Sequence, residues 1–540
     1  MPPRLLQQPP QYQDLESIDS GTRLASSNLL RQSQCGGIVD SDALGRSAAV
    51  SSASQVRPGI SMMASPRSVA IVGAGVFGLS IALALRKRGY RVVVFDQEPY
   101  DSTAYAPSDD GLSQAASVDH NKIFRASYGT KLHYQRLALD SRAAWLALDA
   151  GRLLSPCGML RVQPTGELGS LERETLAGLA RDGLRDTQFV RGDAADRARA
   201  VDEGWDAKLL AFCDAEGRAL EAVLDSLAGF VRCSDACAFV QRSAASEGVE
   251  FRFGPEEGAF DSLVEETESS SSSSSSTPQK RVIGLKTKDG TFHPADTVVI
   301  AAGSYSTQLL PELAYHLESS AGSLATFRID RSERALWDKY APDRFPVITW
   351  KSAPRAQDGR DMGSVYALPR TPEGLVKIGY RGIKFTNFQP APAGAPFTQQ
   401  GEWSVPLPRA ECSRIPPPAE EAIRTFVSLF LPEFRDVPFY SQRLCWYTDS
   451  LDNSFLIDYV PVYADRSVFV CAGGSGHGAK FLPVLGEHAA DIFEHGDASA
   501  SFMRPFWRWR PDAPRRNGLD EGPDGPRNLA RMGDWRRAGP

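Results

Sequence analysis

The stretch that decides the fold is SVAIVGAGVFG, residues 68–78. It joins a short apolar run, typical of a buried strand, to three glycines in the spacing G-x-G-x-x-G that open a helix. Gly73 permits a tight turn, Gly75 lets a pyrophosphate approach the backbone, and Gly78 lets helix and strand pack closely. Asp96 ends the next apolar run, where a carboxylate accepts hydrogen bonds from an adenosine ribose. The stretch therefore predicts a βαβ unit that binds a dinucleotide, without distinguishing NAD from FAD.

Composition excludes several classes of protein. The 540 residues are 42% hydrophobic and 23% charged, which is typical of a globular enzyme rather than of a disordered, collagen-like or coiled-coil chain. Sixty Lys and Arg against 66 Asp and Glu give a net charge of −6, so nucleic acid is not an expected partner. The eight cysteines are irregularly spaced. Cys233 and Cys237 lack a second pair or a neighbouring His, so no disulfide framework and no metal site are predicted.

The sequence shows no targeting or membrane-spanning signal. Residues 68–85 carry no charge, but they are barely long enough to span a bilayer, and the βαβ interpretation explains their glycines. The N-terminal region lacks the apolar core of a secretion signal. The final residues, Arg-Ala-Gly-Pro, differ from the Ser-Lys-Leu peroxisomal address. We expect a monomer that is intracellular and cytoplasmic, with no membrane partner.

Composition along the chain predicts where the folded part lies. Residues 1–65 are rich in Gln, Ser, Pro and Gly and are predicted to be a disordered extension. The unbroken serine run at 269–276 is predicted to be a surface connection between strands at 249–253 and 281–287. After about residue 510 the apolar pattern is lost, so 511–540 is predicted to be a flexible tail.

Within residues 66–510, strand and helix patterns alternate, which favours an α/β fold. We predict a Rossmann-like cofactor domain, assembled from distant segments, with an antiparallel-sheet substrate domain inserted between them. The cofactor domain is assigned to 66–130, 220–310 and 440–500, and the substrate domain to 131–219 and 311–439.

Two C-terminal motifs carry a family resemblance. LCWYTD at 444–449 is followed by FLID at 455–458 and by VCAGGSGHGAKF at 470–481. Here the chain resembles the amine-oxidising flavoenzymes related to monomeric sarcosine oxidase, a group that includes saccharopine oxidase, pipecolate oxidase and the fructosyl amino acid oxidases. Four further segments agree: AASVDHNKIFR at 115–125, SPCG at 155–158, VIAAG at 299–303 and GLVKIG at 374–379.

The resemblance implies FAD as the cofactor. It implies that Cys445 forms a thioether to the flavin ring. The second glycine-rich turn, with Gly473, Gly476 and Gly478, is implied to present backbone N–H groups to the flavin, and the helix dipole that follows would stabilise negative charge there. His477 is interpreted as a residue that supports this turn rather than as a general base.

The same resemblance implies roles for four cationic side chains. Arg125 and Lys480 are expected to bind the substrate carboxylate, Arg as a planar fork and Lys as a compact charge. Lys377 is expected to lie over the flavin and to accelerate its reaction with oxygen, and Lys122 assists or replaces it. Arg381 stands where bacterial sarcosine oxidases carry His, so the sarcosine pocket is not reproduced.

The predicted activity is oxidation of secondary-amine amino acids, N-alkyl or cyclic, to an imine with release of hydrogen peroxide. The expected partners are a small amino acid and oxygen. Two alternatives stay open: a tailoring flavoenzyme of secondary metabolism that acts on an N-methylated amino acid, and a flavin dehydrogenase with another electron acceptor. The sequence does not identify the amine.

Overall fold

The structure is a computed structural model that describes residues 67–107, 114–267, 280–350 and 364–533. The predicted N-terminal extension, 1–65, and the serine run, 269–276, lie outside the described residues. The strands are β1 (Ser68–Val72), β2 (Arg91–Asp96), β3 (Lys122–Phe124), β4 (Leu154–Ser155), β5 (Met159–Val162), β6 (Gln188–Val190), β7 (Ala222–Asp225), β8 (Gly229–Val231), β9 (Glu250–Phe253), β10 (Phe260–Thr267), β11 (Lys280–Thr287), β12 (Phe292–Pro294), β13 (Thr297–Ile300), β14 (Leu317–Arg328), β15 (Val347–Trp350), β16 (Val365–Ala367), β17 (Leu375–Phe385), β18 (Phe388–Pro390), β19 (Glu402–Ser404), β20 (Ser441–Ser450), β21 (Leu456–Tyr459) and β22 (Val468–Ala472). The α-helices are α1 (Val76–Lys87), α2 (Tyr100–Thr103), α3 (Leu132–Ala147), α4 (Ser170–Arg181), α5 (Ala194–Asp202), α6 (Cys233–Ser246), α7 (Ser306–Leu309), α8 (Arg334–Lys339), α9 (Pro417–Phe430), α10 (Leu482–His495) and α11 (Arg504–Trp507).

A six-stranded sheet is built around the glycine motif, in the order β21-β22-β13-β1-β2-β9. All neighbours are parallel except β21 and β22. The helix α1 packs closely on α10, where Ser80 Oγ donates to the Leu482 carbonyl over 2.6 Å and accepts from the Gly486 N–H over 2.7 Å. Parallel strands bring their carboxyl ends to one edge, which is where α/β sheets bind ligands. The two glycine-rich turns therefore meet at the same edge.

A second, eight-stranded sheet runs in the order β20-β14-β17-β16-β15-β5-β7-β6 and is antiparallel apart from the pair β5 and β15. The amphipathic helix α9 packs on this sheet. It buries Ile423, Phe426 and Phe430 in a hydrophobic core to which the sheet contributes Phe327 and Trp446. The predicted mixed α/β fold, a Rossmann-like sheet joined to an antiparallel sheet, is confirmed.

The domain boundaries differ from those predicted. The strands β7 and β20 lie in segments assigned to the cofactor domain, yet both pair within the eight-stranded sheet. The helix α3 lies in a segment assigned to the substrate domain, yet its residues Tyr134 and Trp145 pack in the core of the six-stranded sheet. The alternation of apolar residues predicts strands, but it does not specify which sheet each strand joins.

The hairpin that the serine run was expected to connect has a different first strand. Residues 250–253 form β9, at the edge of the six-stranded sheet, where Phe253 is opposite Asp96. The antiparallel partner of β11 is β10, with Thr267 opposite Lys280.

Residues 511–533 do not form the flexible tail that was predicted. They pack against the eight-stranded sheet, with Leu529 buried and Asn528 bridged to Thr386. The carboxylate of Glu318 on β14 is buried between two arginines of this segment, Arg527 at 2.8 Å and Arg515 at 3.4 Å. A buried carboxylate needs such partners, and this requirement rather than apolar periodicity fixes the segment.

Replacement of Arg527 by Met should destabilise the fold, because the buried carboxylate of Glu318 then keeps only the weaker of its two arginine partners, Arg515 at 3.4 Å. We expect the free energy of unfolding to fall by about 3 kcal/mol, measured by urea denaturation. The matched control is Arg531→Met in the same segment, since Arg531 is exposed and pairs with exposed Asp524. The control should change stability by less than about 1 kcal/mol. Equal effects of the two changes would contradict the buried ion pair.

Candidate active site

A cavity of about 820 Å³ extends from the first glycine turn to the strand β20. Its walls include Gly73 and Asp96 at one end and Cys445 and Lys480 at the other. Residues from both sheets therefore enclose one continuous space.

The first glycine turn is shaped by close contacts. Gly73 has φ +108°, and a Cβ there would lie 2.5 Å from the Ala301 carbonyl oxygen. A Cβ on Gly78 would lie 1.8 Å from the Gly73 oxygen, so α1 approaches the turn only because residue 78 lacks a side chain. A Cβ on Gly75 would meet the Ser117 hydroxyl at 2.8 Å. Gly73 and Gly75 expose backbone to the cavity, as phosphate binding requires.

Asp96 lies at the end of β2 and lines the cavity. Its carboxylate accepts hydrogen bonds from the N–H groups of Ala74 at 2.7 Å and Glu98 at 2.9 Å. Burial raises the pKa of Asp96 to about 6, although both N–H groups favour the charged form. Asp96 thus ties the end of β2 to the glycine turn, in addition to facing the space where the sequence predicts a ribose.

The second glycine turn follows β22. Gly473 and Gly476 have positive φ values of +78° and +67°, and both line the cavity. A Cβ on Gly478 would lie 2.5 Å from the ring of Phe77, which stands between Gly75 and Gly78 of the first glycine motif. The absence of a side chain at Gly478 therefore lets the two turns approach each other.

Cys445 lies on β20, opposite Gly322 of β14, and lines the cavity. Its neighbour Trp446 is fully buried in the core of the eight-stranded sheet. Alternation along the strand directs these two side chains to opposite faces, so the thiol faces the cavity while the indole anchors the strand.

A buried carboxylate, Asp119, organises the cations beside Cys445. It accepts hydrogen bonds from Lys122 and from Lys377, each at 2.8 Å, and Arg443 lies at 4.0 Å. Burial alone would raise the pKa of Asp119, but the three cations outweigh it and hold that pKa well below its usual range. Around one negative charge there are three positive ones, so the region keeps a positive surplus.

The two lysines bound to Asp119 occupy different positions. Lys122 lines the cavity. Burial lowers the pKa of its ammonium, but the charge of Asp119 outweighs burial and raises that pKa above its usual value. Lys377 is almost completely buried and also donates to the Asn121 carbonyl. Burial lowers its pKa despite Asp119. Lys377 is not among the residues that line the cavity, and its ammonium is bound to Asp119 and to the Asn121 carbonyl. Its expected position over the flavin stays a prediction.

Arg125 and Lys480 meet at Tyr128. The Arg125 guanidinium stacks over the Tyr128 ring at 4.4 Å, and Lys480 Nζ donates to the Tyr128 hydroxyl at 2.9 Å. Burial, with the nearby charges of Arg125 and Arg381, lowers the pKa of Lys480 well below its usual range. An anion bound here would relieve this repulsion.

Arg381 adds a third cation to this end of the cavity. It donates to the carbonyls of Gly476 at 3.2 Å and Ser475 at 3.1 Å, which ties β17 to the second glycine turn. Within the described ranges, no Asp or Glu forms an ion pair with Arg125, Lys480 or Arg381. The three cations lack a protein counterion, which favours an anionic ligand.

His477 is held on both sides of its ring. Its Nε2 is 2.8 Å from the Asn453 carbonyl and its Nδ1 is 3.1 Å from the Tyr128 hydroxyl. Burial and the charge of Lys480 lower its pKa well below the usual range, so the ring is neutral. The supporting role expected for His477 stays a prediction.

Sequence reasoning missed two residues of the site, Asp119 and Tyr128. Both stand in or just after the motif at 115–125, and the available signal for Asp119 was that it is the one acidic residue of this motif, three positions before Lys122. Tyr128 gave no comparable signal, because its contacts to Lys480 and His477 join residues about 350 positions apart.

The cavity fits the predicted FAD. It is continuous from glycines that expose backbone to a free cysteine. Ser323 and Thr448 are among its lining residues, and their hydroxyl oxygens are buried without a hydrogen-bond partner among the described residues. Such orphaned groups are expected where a polar ligand binds.

The described residues contain neither a helix suited to span a membrane nor a cluster suited to hold a metal ion. None of the helices there is long and apolar enough to cross a bilayer. No group of three or more His, Cys, Asp or Glu side chains in those ranges is arranged to hold a metal ion.

Comparisons with known proteins agree with this geometry. The L-saccharopine oxidase of Schizosaccharomyces pombe is 27% identical over 455 residues, which cover 83% of this chain and 94% of the relative. The monomeric sarcosine oxidase of a Bacillus species is 23% identical, covering 81% of this chain and 96% of the relative. The solved structure of a modified fructosyl peptide oxidase from Aspergillus nidulans superimposes with a TM-score of 0.69 at 26% identity, over 87% of this chain and 99% of that one.

A sequence profile of one family matches most of the chain, residues 68–492. The matched range contains both glycine turns, Cys445 and the cations that line the cavity. The prediction of a flavoprotein oxidoreductase is therefore confirmed: the chain belongs to the FAD dependent oxidoreductase family and is an FAD-dependent oxidase of the amino acid oxidase type.

Proposed function

We propose that the protein oxidises secondary-amine amino acids, N-alkyl or cyclic, with oxygen, giving an imine and hydrogen peroxide. The observation that carries this proposal is a group of three cations, Arg125, Lys480 and Arg381, that form no ion pair with an Asp or Glu among the described residues. They lie on the wall of the cavity that also contains the first glycine turn. Bound FAD would accept two electrons from the C–N unit of the substrate and pass them to oxygen. The protein supplies binding, charge and orientation.

Arg125 and Lys480 would bind the substrate carboxylate. The guanidinium is held over Tyr128 and the ammonium is hydrogen-bonded to the same side chain, so both charges are fixed before the substrate arrives. Fixed cations lose little conformational entropy when they bind an anion. The same positive charges lower the pKa of a bound substrate ammonium, which favours the neutral amine with its free electron pair.

Lys122 is the cation that we assign to the reaction with oxygen. It lines the cavity, and Asp119 keeps it protonated. A fixed ammonium lowers the cost of placing negative charge on oxygen. Lys377, which the sequence favoured for this task, would act indirectly by sharing Asp119 with Lys122.

Cys445 is proposed to link FAD covalently. Support comes from its position on the cavity wall, on β20, where its thiol faces the same space that Lys122 lines.

The proposed activity is tested by hydrogen peroxide release from paired amines. L-pipecolate is compared with piperidine, and sarcosine with dimethylamine, since each pair differs by one carboxylate. We expect the amino acid of at least one pair to exceed its amine by about 30-fold or more in kcat/KM, as expected when a charge-assisted anchor of about 2 kcal/mol or more is lost. Oxygen uptake without peroxide, or equal rates within each pair, would contradict the proposal.

Substitution of Lys122 by Met should slow the reaction of the reduced enzyme with oxygen by about 100-fold or more, because one preorganised charge is lost. Anaerobic reduction by substrate should change much less, since it places no comparable negative charge at that position. Both steps are measured by stopped-flow absorbance.

The matched comparison is Lys377→Met, which removes the second lysine from Asp119 but leaves the charge that lines the cavity. We expect a smaller effect on the oxygen reaction than in Lys122→Met. The reverse order would restore Lys377 to the role that the sequence predicted and would refute our assignment of Lys122.

Cys445→Ala should release the flavin when the protein is precipitated with acid, whereas the flavin of the unchanged protein should stay with the polypeptide. The control is Cys471→Ala, because Cys471 is buried on β22 and also lines the cavity. Free FAD in the supernatant of the unchanged protein, or retention of flavin in Cys445→Ala, would disprove the covalent link.

A further inference from the structure

We propose that the C-terminal segment, residues 511–533, belongs to the substrate-binding apparatus: through Asn517 it supports a hydrogen-bonded chain of Asn453, His477 and Tyr128 that positions Lys480. This inference rests on the proposed carboxylate-binding role of Lys480. The segment lies beyond the family match, which ends at residue 492.

Hydrogen-bond chemistry fixes the direction of this chain. The Asn453 group at 2.8 Å from His477 Nε2 is a carbonyl, which only accepts, so Nε2 carries the hydrogen. In the neutral ring Nδ1 is then the acceptor, and the Tyr128 hydroxyl at 3.1 Å must donate to it. The Tyr128 oxygen is thereby left to accept from Lys480 Nζ at 2.9 Å.

The consequence for Lys480 is an orientation. One of its N–H bonds is directed to Tyr128, so the remaining hydrogens are available to a ligand in the cavity. The backbone of Lys480 is fixed as well, because its carbonyl accepts a hydrogen bond from Trp145 Nε1 at 2.6 Å and another from the Ser141 hydroxyl. A lysine that is free to rotate would lose more conformational entropy on binding the same anion.

The Asn453 end of this hydrogen-bonded chain depends on a turn that Asn517 supports. Asn453 has φ +64°, a conformation that Asn tolerates better than most residues. Its side chain exchanges hydrogen bonds with Asn517: Asn517 Nδ2 donates over 2.8 Å, and Asn453 Nδ2 donates back over 3.2 Å. Asn517 Nδ2 is also 3.3 Å from the Ser450 carbonyl at the end of β20. Asn517 therefore joins the Asn453 turn to β20.

Asn517 also reaches the site directly. Its side chain lines the cavity, as do those of Asn453 and Lys384. Lys384 Nζ donates to Asn517 Oδ1 at 3.1 Å and to Asp449 at 2.8 Å, so this lysine, unlike Lys480, has a protein counterion. The segment that carries Asn517 is itself attached through Arg515 and Arg527 to the buried Glu318. A connected set of contacts thus runs from the C-terminal segment to Lys480.

The test measures binding of cyclohexanecarboxylate, which resembles pipecolate without its nitrogen, to the flavin-loaded enzyme. Binding is followed by the change in visible flavin absorbance. Tyr128→Phe removes the hydroxyl but keeps the ring that stacks on Arg125, and it should raise Kd about 10-fold. Asn517→Ala should raise Kd about 3-fold, since it acts through the Asn453 turn.

Steady-state kinetics give a second readout, with the amino acid that releases most peroxide in the paired screen. Both variants should raise its KM in the same order and change kcat less than KM, and both should slow the reaction of the amino acid more than that of the decarboxylated amine. Asn528→Ala is the matched control, because Asn528 is a buried residue of the same segment that bonds to Pro523 and Ala530 and does not contact the Asn453 turn. The control should bind cyclohexanecarboxylate as tightly as the unchanged enzyme.

Lys480→Met separates failure of this inference from failure of the proposed function. If Lys480→Met weakens binding by about 10-fold or more while Tyr128→Phe and Asn517→Ala do not, the carboxylate site stands and the positioning chain is refuted. An effect of Asn528→Ala equal to that of Asn517→Ala would also refute it, since any disturbance of the segment would then suffice. If cyclohexanecarboxylate fails to bind, or binds Lys480→Met unchanged, the carboxylate site itself is wrong and the inference falls with it.

Discussion

The pairing of the Asp119 carboxylate with Lys122 and Lys377 is the interaction on which the chemistry of the site depends. This carboxylate is buried, and an unpaired buried charge would be strongly unfavourable, so its binding to Lys122 and Lys377 is a condition of the fold as well as of the site. The sharing of one anion by several cations leaves positive charge beside Cys445. The pairing also joins distant parts of the chain, because Asp119 and Lys122 come from the segment that follows the glycine unit whereas Lys377 lies on β17 of the eight-stranded sheet.

Two glycine turns complete the site from the other side. They come from positions about 400 residues apart in the chain, and they meet because β1 and β22 run parallel in one sheet and end at the same edge. The two turns approach each other closely because Gly78 and Gly478 have no side chains. Backbone groups therefore form much of the dinucleotide end of the cavity, while side chains from several elements, among them Cys445 on β20, Arg381 on β17 and Lys122 on β3, form the reactive end. This division explains why a short sequence motif was enough to predict the dinucleotide end of the cavity.

Local patterns predicted what depends on neighbours in sequence. The unit from β1 to β2, the turn after β22 and the cavity positions of Arg125, Lys480 and Cys445 followed from short motifs or from the family resemblance that those motifs support. The pairing of strands that are distant in the sequence was not predicted correctly. The strand β20 was placed with the wrong sheet, and β9 was given the wrong partner, because alternation of apolar residues does not encode register between distant strands.

Electrostatic partners were equally hidden. The sequence placed Lys377 over the flavin, but the position of its ammonium is set by Asp119, some 258 residues away in the chain. The C-terminal segment was predicted to be flexible because it lacks apolar periodicity, yet the buried Glu318 attaches it through two arginines. Buried ion pairs produce no periodic pattern in a sequence, so composition alone did not show that this polar segment is attached to the fold.

The central claim is that one cavity holds FAD beside a carboxylate-binding pair of cations. A crystal structure of the enzyme with cyclohexanecarboxylate tests it most directly. The account predicts continuous density from Cys445 Sγ to the flavin ring, and both carboxylate oxygens within hydrogen-bond distance of Arg125 and Lys480. A flavin that is separate from Cys445 would remove the covalent link alone. A carboxylate bound away from both cations, or a flavin outside this cavity, would contradict the account.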